Sequence, residues 1–282
     1  MTNFELLFKL KQSLIKNNQN EKISNWILMH VYDLDDYTDL MNILPLEAIK
    51  NNECELILKE YLAGKPLSKI FGSTYFCCNK FIVDNNVFSP RVETELLIEY
   101  LSKYINKFNF ISDIDFLDMC CGTGVIGISA KLKFKNNLNL TLVDINEDAC
   151  VNSKKNLKLY NLKADVICSN LFSNLKKKFD IIACNPPYIS FDEDIGFVEK
   201  YDPQNALFAE KNGYFIYEEI ISNYSNYIKN NQKFLLAFEI GMGQEEKIKN
   251  MLLSWDPKVK VDIIKDYNNI NRFIFAYKNY DI

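Results

Sequence analysis

Two short stretches carry residue types that could do chemistry. The first is Asp180-Ile-Ile-Ala-Cys-Asn-Pro-Pro-Tyr188, an apolar run that stops at Asn185, Pro186, Pro187 and Tyr188. Prolines cannot donate to a strand ladder, so this reads as a buried strand with an enforced end. An asparagine held rigidly there is either a turn residue or an amide placed to hold something. The second stretch is Asp118-Met-Cys-Cys-Gly-Thr-Gly124, which follows apolar Ile114-Asp-Phe-Leu. Glycines in such a turn let backbone approach a ligand, and a following helix offers free N–H groups. Asp144 ends the next apolar run about twenty residues on, where an acid accepts hydrogen bonds from ribose hydroxyls. Together these fit an adenosine-bearing cofactor.

Such groups meet only if strands end on one edge of a sheet. From residue 91 onward the pattern alternates between helix and strand. The spacing predicts a helix over 93–108, a strand at Ile114–Met119 and a helix from Val125. A strand at 139–144, a helix to Leu159, and strands at 165–168 and 179–184 follow. A helix over 213–228, a strand at 234–239, and two closing strands at 259–264 and 272–277 complete the pattern. Strands alternating with helices predict an α/β fold with a parallel sheet covered on both faces, and the closing pair predicts an antiparallel edge. In such a sheet ligands bind beyond the carboxyl ends of the strands.

Residues 1–70 read as a small helical domain, with apolar residues at helical spacing (Phe4, Leu7, Leu10, Leu14), around Trp26 to Val31, and over Leu56 to Leu62. Asp33 and Asp39 suit caps or turns between helices, and Gly64-Lys65-Pro66 closes the region. Residues 71–90 hold short alternating runs and predict a β-hairpin linker ahead of the main domain, 91–282.

The glycine turn discriminates among adenosine cofactors. Gly122, Gly124 and Gly127 make a G-x-G-x-x-G by count, but a strand-ending acid at Asp118 is awkward beside a pyrophosphate. It suits the ammonium group of a cofactor with an amino-acid end. The turn resembles the S-adenosylmethionine site of Rossmann-like methyltransferases, D/E-x-G-x-G-x-G, with Cys120 where the first glycine is expected. Asn185 then lies on the same sheet edge as a methyl donor. An amide or exocyclic amine nitrogen is a poor nucleophile because its lone pair is delocalised. The Asn185 side-chain oxygen and the Pro186 carbonyl can each accept one of its N–H hydrogens, Tyr188 can stack on the planar group, and the prolines keep the loop rigid. Catalysis of this kind is positioning and electrostatics, with no strong base.

The 282 residues are 48% hydrophobic with a net charge of −4, enough for a substantial core. The acidic balance, with a pI near 5.3, argues against a long nucleic-acid duplex as the main partner. The N-terminus lacks a signal-peptide pattern, and no stretch reaches the roughly 18 uninterrupted apolar residues of a membrane span. Eight cysteines without a signal fit a reducing cytosol. Cys77-Cys78 and Cys120-Cys121 lack C-x-x-C spacing and the chain has one histidine, so no metal site is expected. Arg91 and Arg272 are the chain's two arginines, each suited to a structural salt bridge or a substrate contact.

From about Gly64 to the end, the chain resembles the protein-(glutamine-N5) methyltransferases that modify peptide-chain release factors. GKPLSKIFGSTYF, SPRVETELL, LDMCCGTGVIGI, VDINEDA, NPPYIS, YDPQNALFAEKNG, FEIGMGQ and KDYNNINRFIFA stand in that family's order. NPPY is shared with enzymes acting on nucleobase amino groups. Pro90-Arg-Val-Glu-Thr-Glu95 is much more particular. The resemblance implies a class I S-adenosylmethionine-dependent methyltransferase domain with an antiparallel final strand. Its substrate would be the Gly-Gly-Gln glutamine of class I release factors, docked by the N-terminal helices. By position, Asp118 and Cys120, Cys121, Gly122, Thr123 and Gly124 would form the cofactor loop, with Asp144 on the ribose. Asn170 and Leu171 fall where an acid and an aromatic are usual near the adenine. Asn185, Pro186, Pro187 and Tyr188 would hold the glutamine, Asn185 also near the cofactor, and Arg91 would touch substrate. A cytoplasmic monomer without stable nucleic acid or membrane is the expectation. The alternatives are a nucleic-acid exocyclic-amine methyltransferase that flips a base against NPPY, a cofactor-binding scaffold, and, least favoured, a nicotinamide dehydrogenase.

Overall fold

A computed structural model describes residues 1–34, 36–108, 113–134, 138–196, 199–230 and 233–279. The chain divides into two compact units, Met1–Gly72 and Ser73–Ile282.

The first unit is helical: α1 (Asn3–Lys16), α2 (Ile23–Tyr32), α3 (Tyr37–Ile43), α4 (Asn51–Leu62) and α5 (Leu67–Phe71). A capping box starts α1, with the Thr2 hydroxyl accepting from the Glu5 N–H and the Glu5 carboxylate accepting from the Thr2 N–H. The buried stripe of α1 is Leu6, Leu10 and Leu14. The sequence expectation had put Phe4 and Leu7 on it, yet Phe4 is 61% exposed. The helix is apolar over a wide arc, and only packing by α2 and α4 selects the inward face. Trp26 and Leu56 are likewise exposed beside buried Ile27 and Leu58. Asp33 closes α2 in a left-handed conformation, whereas α3 is capped by Asp36, which accepts from the Thr38 and Asp39 N–H groups, so Asp39 lies inside the helix. Pro66 does not end the helical region: it precedes α5, which Gly72 closes.

The second unit begins with a hairpin, β1 (Ser73–Phe76) and β2 (Asn79–Ile82), paired antiparallel. Cys77 and Cys78 both have positive φ at its two-residue tip, the backbone such a turn demands. Phe76 and Phe81 bury into the main core, so the hairpin packs as part of this unit. After a 3₁₀ turn at Val92–Thr94 come α6 (Glu95–Lys107), β3 (Ile114–Met119), α7 (Val125–Phe134), β4 (Leu138–Asp144), α8 (Glu147–Leu159), β5 (Asp165–Cys168) and β6 (Ile181–Cys184). Then follow a single turn α9 (Glu210–Gly213), α10 (Phe215–Tyr227), β7 (Lys233–Glu239), α11 (Glu245–Trp255), β8 (Lys260–Lys265) and β9 (Asn271–Asn279). The sequence pattern missed α11, whose buried side chains in this stretch are reduced to Ile248 and Leu252.

The strands form one sheet in the order β5-β4-β3-β6-β7-β9-β8. Pairings among β5, β4, β3, β6 and β7 are parallel, and β9 runs antiparallel to both β7 and β8. The expected antiparallel final strand is there, inserted between β7 and the edge strand β8. Alternation sends Phe116, Leu140, Ile181, Leu235 and Phe275 to one face, under α6, α7 and α8. Leu117, Val143, Ile182, Leu236 and Ile274 go to the other, under α10 and α11. Gly127 sets how closely α7 approaches the sheet, since a Cβ there would lie 2.6 Å from Leu140 Cδ1 and 2.7 Å from Leu142 Cδ2. Gly127→Ala is therefore expected to lower stability by about 1–3 kcal/mol through overpacking, read as a lower urea midpoint with unchanged slope.

Candidate active site

The register of the central strands brings the two chemical stretches together. Met119, the last residue of β3, pairs with Cys184, the last of β6. The chain therefore leaves the sheet at Cys120 and at Asn185 side by side, and β4 on the far side of β3 makes this the switch point where a crevice opens. A cavity lies there. Cys120, Cys121, Gly122 and Thr123 line it, with Asp144 after β4, Asn170 and Leu171 after β5, and all of Asn185 to Tyr188 after β6. Arg91 and Thr94, ahead of α6, complete the wall. Of the residues expected at the site, Asp118 and Gly124 do not line it.

Asp144 is held in place at the cavity wall by backbone. Its Oδ2 accepts from the Gly122 N–H at 2.8 Å and its Oδ1 from the Asn146 N–H at 2.9 Å. Burial pushes the carboxyl up, and the N–H groups of Asn146, Gly122 and Ile145 pull it part of the way back. Each oxygen keeps a lone pair for hydroxyl donors. Asp118 is fully buried behind the turn, its Oδ2 accepting from the Gly127 N–H at 2.8 Å. Its Oδ1 has no partner, and burial raises this carboxyl well above the usual range. A buried acid with an orphaned oxygen beneath a glycine turn fits a cofactor that brings a cation.

Cys120 takes the first-glycine position with φ +57°. Left-handed backbone costs a non-glycine residue about 1–2 kcal/mol, which is why glycine is the usual occupant. Leu171 also has positive φ, +46°, at the cavity wall. The aromatic of that turn is the next residue, Phe172, which is buried and stacked on Tyr227 at 4.3 Å between centroids. Asn170 is exposed at the rim and its carbonyl accepts from Ser173.

Tyr188 is clamped from two sides. Gly213 has φ +83°, and a Cβ there would run into the Tyr188 carbonyl oxygen. A Cβ on Gly241 would stand 3.1 Å from Tyr188 Cδ2. The Gln244 amide donates to the Tyr188 carbonyl at 3.0 Å, while its oxygen accepts from the Gly241 N–H at 2.9 Å. Burial pushes the Tyr188 hydroxyl up to about 12. Behind Asn185, its Nδ2 lies 3.4 Å from Thr94 Oγ1, and Thr94 Oγ1 donates to Glu239 Oε2 at 2.7 Å. Glu239 is 2% exposed. Burial raises its carboxyl to about 7, against the pull of Thr94, Arg272 and Asn185.

The arginines divide. Arg91 lines the cavity, pairs with Asp202 at 2.7 Å and lies over the Phe88 ring at 4.9 Å. Asp202 also accepts from the Ser89 N–H at 3.0 Å, so this pair ties the 199–209 segment to the chain ahead of α6. Arg272 bonds the Asp266 carboxylate at 3.3 Å and the Ile240 carbonyl at 3.1 Å, a structural role away from the cavity lining. Sequence reasoning gave no role to Thr94, Glu239, Gln244 or Asp202. Glu239 carried a signal, an acid ending the apolar run Phe234-Leu-Leu-Ala-Phe, on the same edge as Asn185. Among the described residues no group of three or more His, Cys, Asp or Glu side chains is placed to hold a metal, and no helix is long and apolar enough to cross a membrane.

The sheet order, the glycine turn and the paired acids at the switch point define a class I methyltransferase. Residues 79–200 match the methyltransferase small domain family. The fold is similar to the hMettl16 catalytic domain solved with a 3′UTR hairpin, at a TM-score of 0.55 and 14% identity over 81% of this chain and 82% of that one. The release factor glutamine methyltransferase of Mycoplasma mycoides is 33% identical over 95% of both chains. That of Bacillus cereus is 29% identical over 97% of this chain and 98% of its own. The chain belongs to the release factor glutamine methyltransferase family, and it is an S-adenosylmethionine-dependent enzyme.

Because the raised Glu239 carboxyl binds its proton more tightly folded than unfolded, its contribution to stability falls as pH rises from 4.5 to 7 and is level above. Glu239→Gln, which cannot ionise, is expected to match the native protein in stability at pH 4.5 and to exceed it by about 3 kcal/mol at pH 8, measured by urea unfolding at both pH values.

Proposed function

We propose that the protein methylates the side-chain nitrogen of the glutamine in the Gly-Gly-Gln loop of class I peptide-chain release factors. The observation that carries this reading is the alignment of Asn185 to Tyr188 beside the Cys120–Gly124 turn, in a chain of this family. S-adenosylmethionine supplies a methyl group on a sulfonium centre. Asp144 would hold the ribose hydroxyls, Cys120 to Thr123 and Leu171 would line the nucleoside, and Asp118, behind the turn, would hold its shape by accepting from the Gly127 N–H.

The chain's own residues then deal with a weak nucleophile. The Asn185 oxygen and the Pro186 carbonyl accept the two amide N–H hydrogens, which fixes the rotamer and aims the nitrogen. As positive charge develops on that nitrogen, both acceptors bind its hydrogens more tightly than in the ground state, and that difference is the catalysis; the methylated nitrogen then gives up one of the two hydrogens to water as a proton. Tyr188 stacks on the amide plane, held there by Gly213, Gly241 and Gln244. A carboxylate side chain offers no hydrogens to the two acceptors, so glutamate is rejected. Arg91, already paired with Asp202, shapes the entrance and would meet the backbone flanking the glutamine. The helical unit Met1–Gly72, with Phe4 and Phe8 exposed on α1, would hold the body of the release factor. The reading uses one copy of the chain, since the described residues lining the cavity run from Val87 to Ile216, and places it in the cytosol, where release factors act.

The test is transfer of label from S-adenosylmethionine to a purified class I release factor. Label is expected on the native factor, and none on a factor carrying Gly-Gly-Ala. Asn185→Ala is expected to lower kcat/KM by about 10²–10³-fold with cofactor affinity within a few-fold. Label on neither factor, with the cofactor still bound, would refute the glutamine reading and turn the search to RNA and DNA amino groups.

A further inference from the structure

Asn185 can do its work in only one of two amide orientations. With the oxygen toward the cavity it accepts from the substrate. Flipped by half a turn it presents an NH₂ group, which repels the substrate's own NH₂. The loop prolines fix the backbone and do not distinguish these states, so something behind Asn185 must.

We propose that Glu239 and Thr94 are positioning residues that select the productive amide orientation of Asn185, an inference that rests on the glutamine reading above. Glu239 ends β7, the strand next to β6, with Ala183 and Cys184 opposite Ala237 and Phe238. Its carboxylate is therefore delivered directly behind the residue that follows Cys184. An ionised carboxylate accepts and cannot donate. It takes the Thr94 hydroxyl hydrogen at 2.7 Å, and the Thr94 oxygen, its one hydrogen committed, is left to accept. Of the Asn185 amide atoms only Nδ2 can donate to it, at 3.4 Å. With Nδ2 committed backwards, Oδ1 faces the cavity. Thr94 is 2% exposed, so water does not substitute for the relay.

The relay depends on the charge of Glu239. Protonated, Glu239 becomes a donor to Thr94, the hydroxyl is freed to donate to Asn185, and the flipped amide is favoured. The groups facing Glu239 come from every neighbouring element: Thr94 and Glu93 ahead of α6, Asn185 and Tyr188 after β6, and Arg272 on β9. The Tyr217 hydroxyl of α10 donates to the Glu239 backbone carbonyl at 2.7 Å. Arg272 favours the charged form, while Glu93 and burial oppose it, which places the switch near neutral pH. A carboxylate buried at a cost to stability is explained if its charge is what orients Asn185.

The test compares native enzyme with Thr94→Val, Thr94→Ser and Glu239→Gln on a release factor, across pH 5.5–8.5. The native kcat is expected to rise with pH to a plateau, with its midpoint near 7. Thr94→Val is expected to lower kcat about 10–100-fold with cofactor Kd unchanged. Thr94→Ser should restore most of the loss, and Glu239→Gln should be slower and lose the acid limb. The second measurement is the ¹⁵N–¹H signal of the Asn185 side-chain amide, assigned by its loss in Asn185→Asp. It should shift with the same midpoint in the native protein and stay fixed in Glu239→Gln. Native-like kcat and pH profile in both Thr94→Val and Glu239→Gln would overturn the proposal, and so would an Asn185 signal indifferent to pH. If the native enzyme leaves release factors unlabelled while the signal titrates and Glu239→Gln abolishes that titration, the relay stands and the substrate assignment falls.

Discussion

The register of β3 against β6 is the constraint on which the site depends. Parallel pairing of Met119 with Cys184 ends both strands at one level, and neither can continue: Cys120 turns away with a left-handed backbone, and Pro186 and Pro187 have no N–H to offer. A slip of one residue would send Asn185 to the wrong side of the sheet. The register is held from beneath by strands buried on both faces, so the precision of the site comes from the core and not from the loops that form it. Gly127 belongs to the same constraint, because the depth at which α7 lies on β4 decides where the turn before it sits.

A second layer of residues holds the reactive loop from behind. Gly213 and Gly241 are absent side chains that make room for Tyr188, and Gln244 ties its carbonyl. Gly213 comes from α9, whereas Gly241 and Gln244 share the one turn between β7 and α11. Their demands differ from those of stability. A hydrophobic residue at Glu239 would suit the core better than a buried carboxylate, yet an acid stands there and accepts from Thr94. Functional sites tend to carry such local conflicts, and the surrounding fold must be stable enough to bear them.

Much of this was legible in the sequence because it is written in local chemistry. Two prolines after an apolar run mean an enforced strand end in any fold. An acid before a glycine turn, and another acid at the next strand end, mean a cofactor edge once strands and helices alternate. The bounds of β3 and β5 follow from apolar runs cut off sharply by polar or glycine residues, and α11 escaped because few of its residues are buried. On α1 a wide apolar arc left two candidate faces, and Phe4 and Leu7 were expected where Leu6, Leu10 and Leu14 are buried.

What the sequence determined by itself was the cofactor type and the alternating pattern that puts strand ends on one edge. The tertiary structure decided which groups face the cavity and which support them. Asp118 was expected in the site and lies behind it. Arg91 is tied to Asp202, more than a hundred residues away, and Thr94 meets Glu239 across a similar separation. The physical reason is range. Turn and strand signals act over a few residues and survive in the sequence, whereas a hydrogen bond between distant segments exists only after the sheet has chosen its order, and no local pattern encodes that partner.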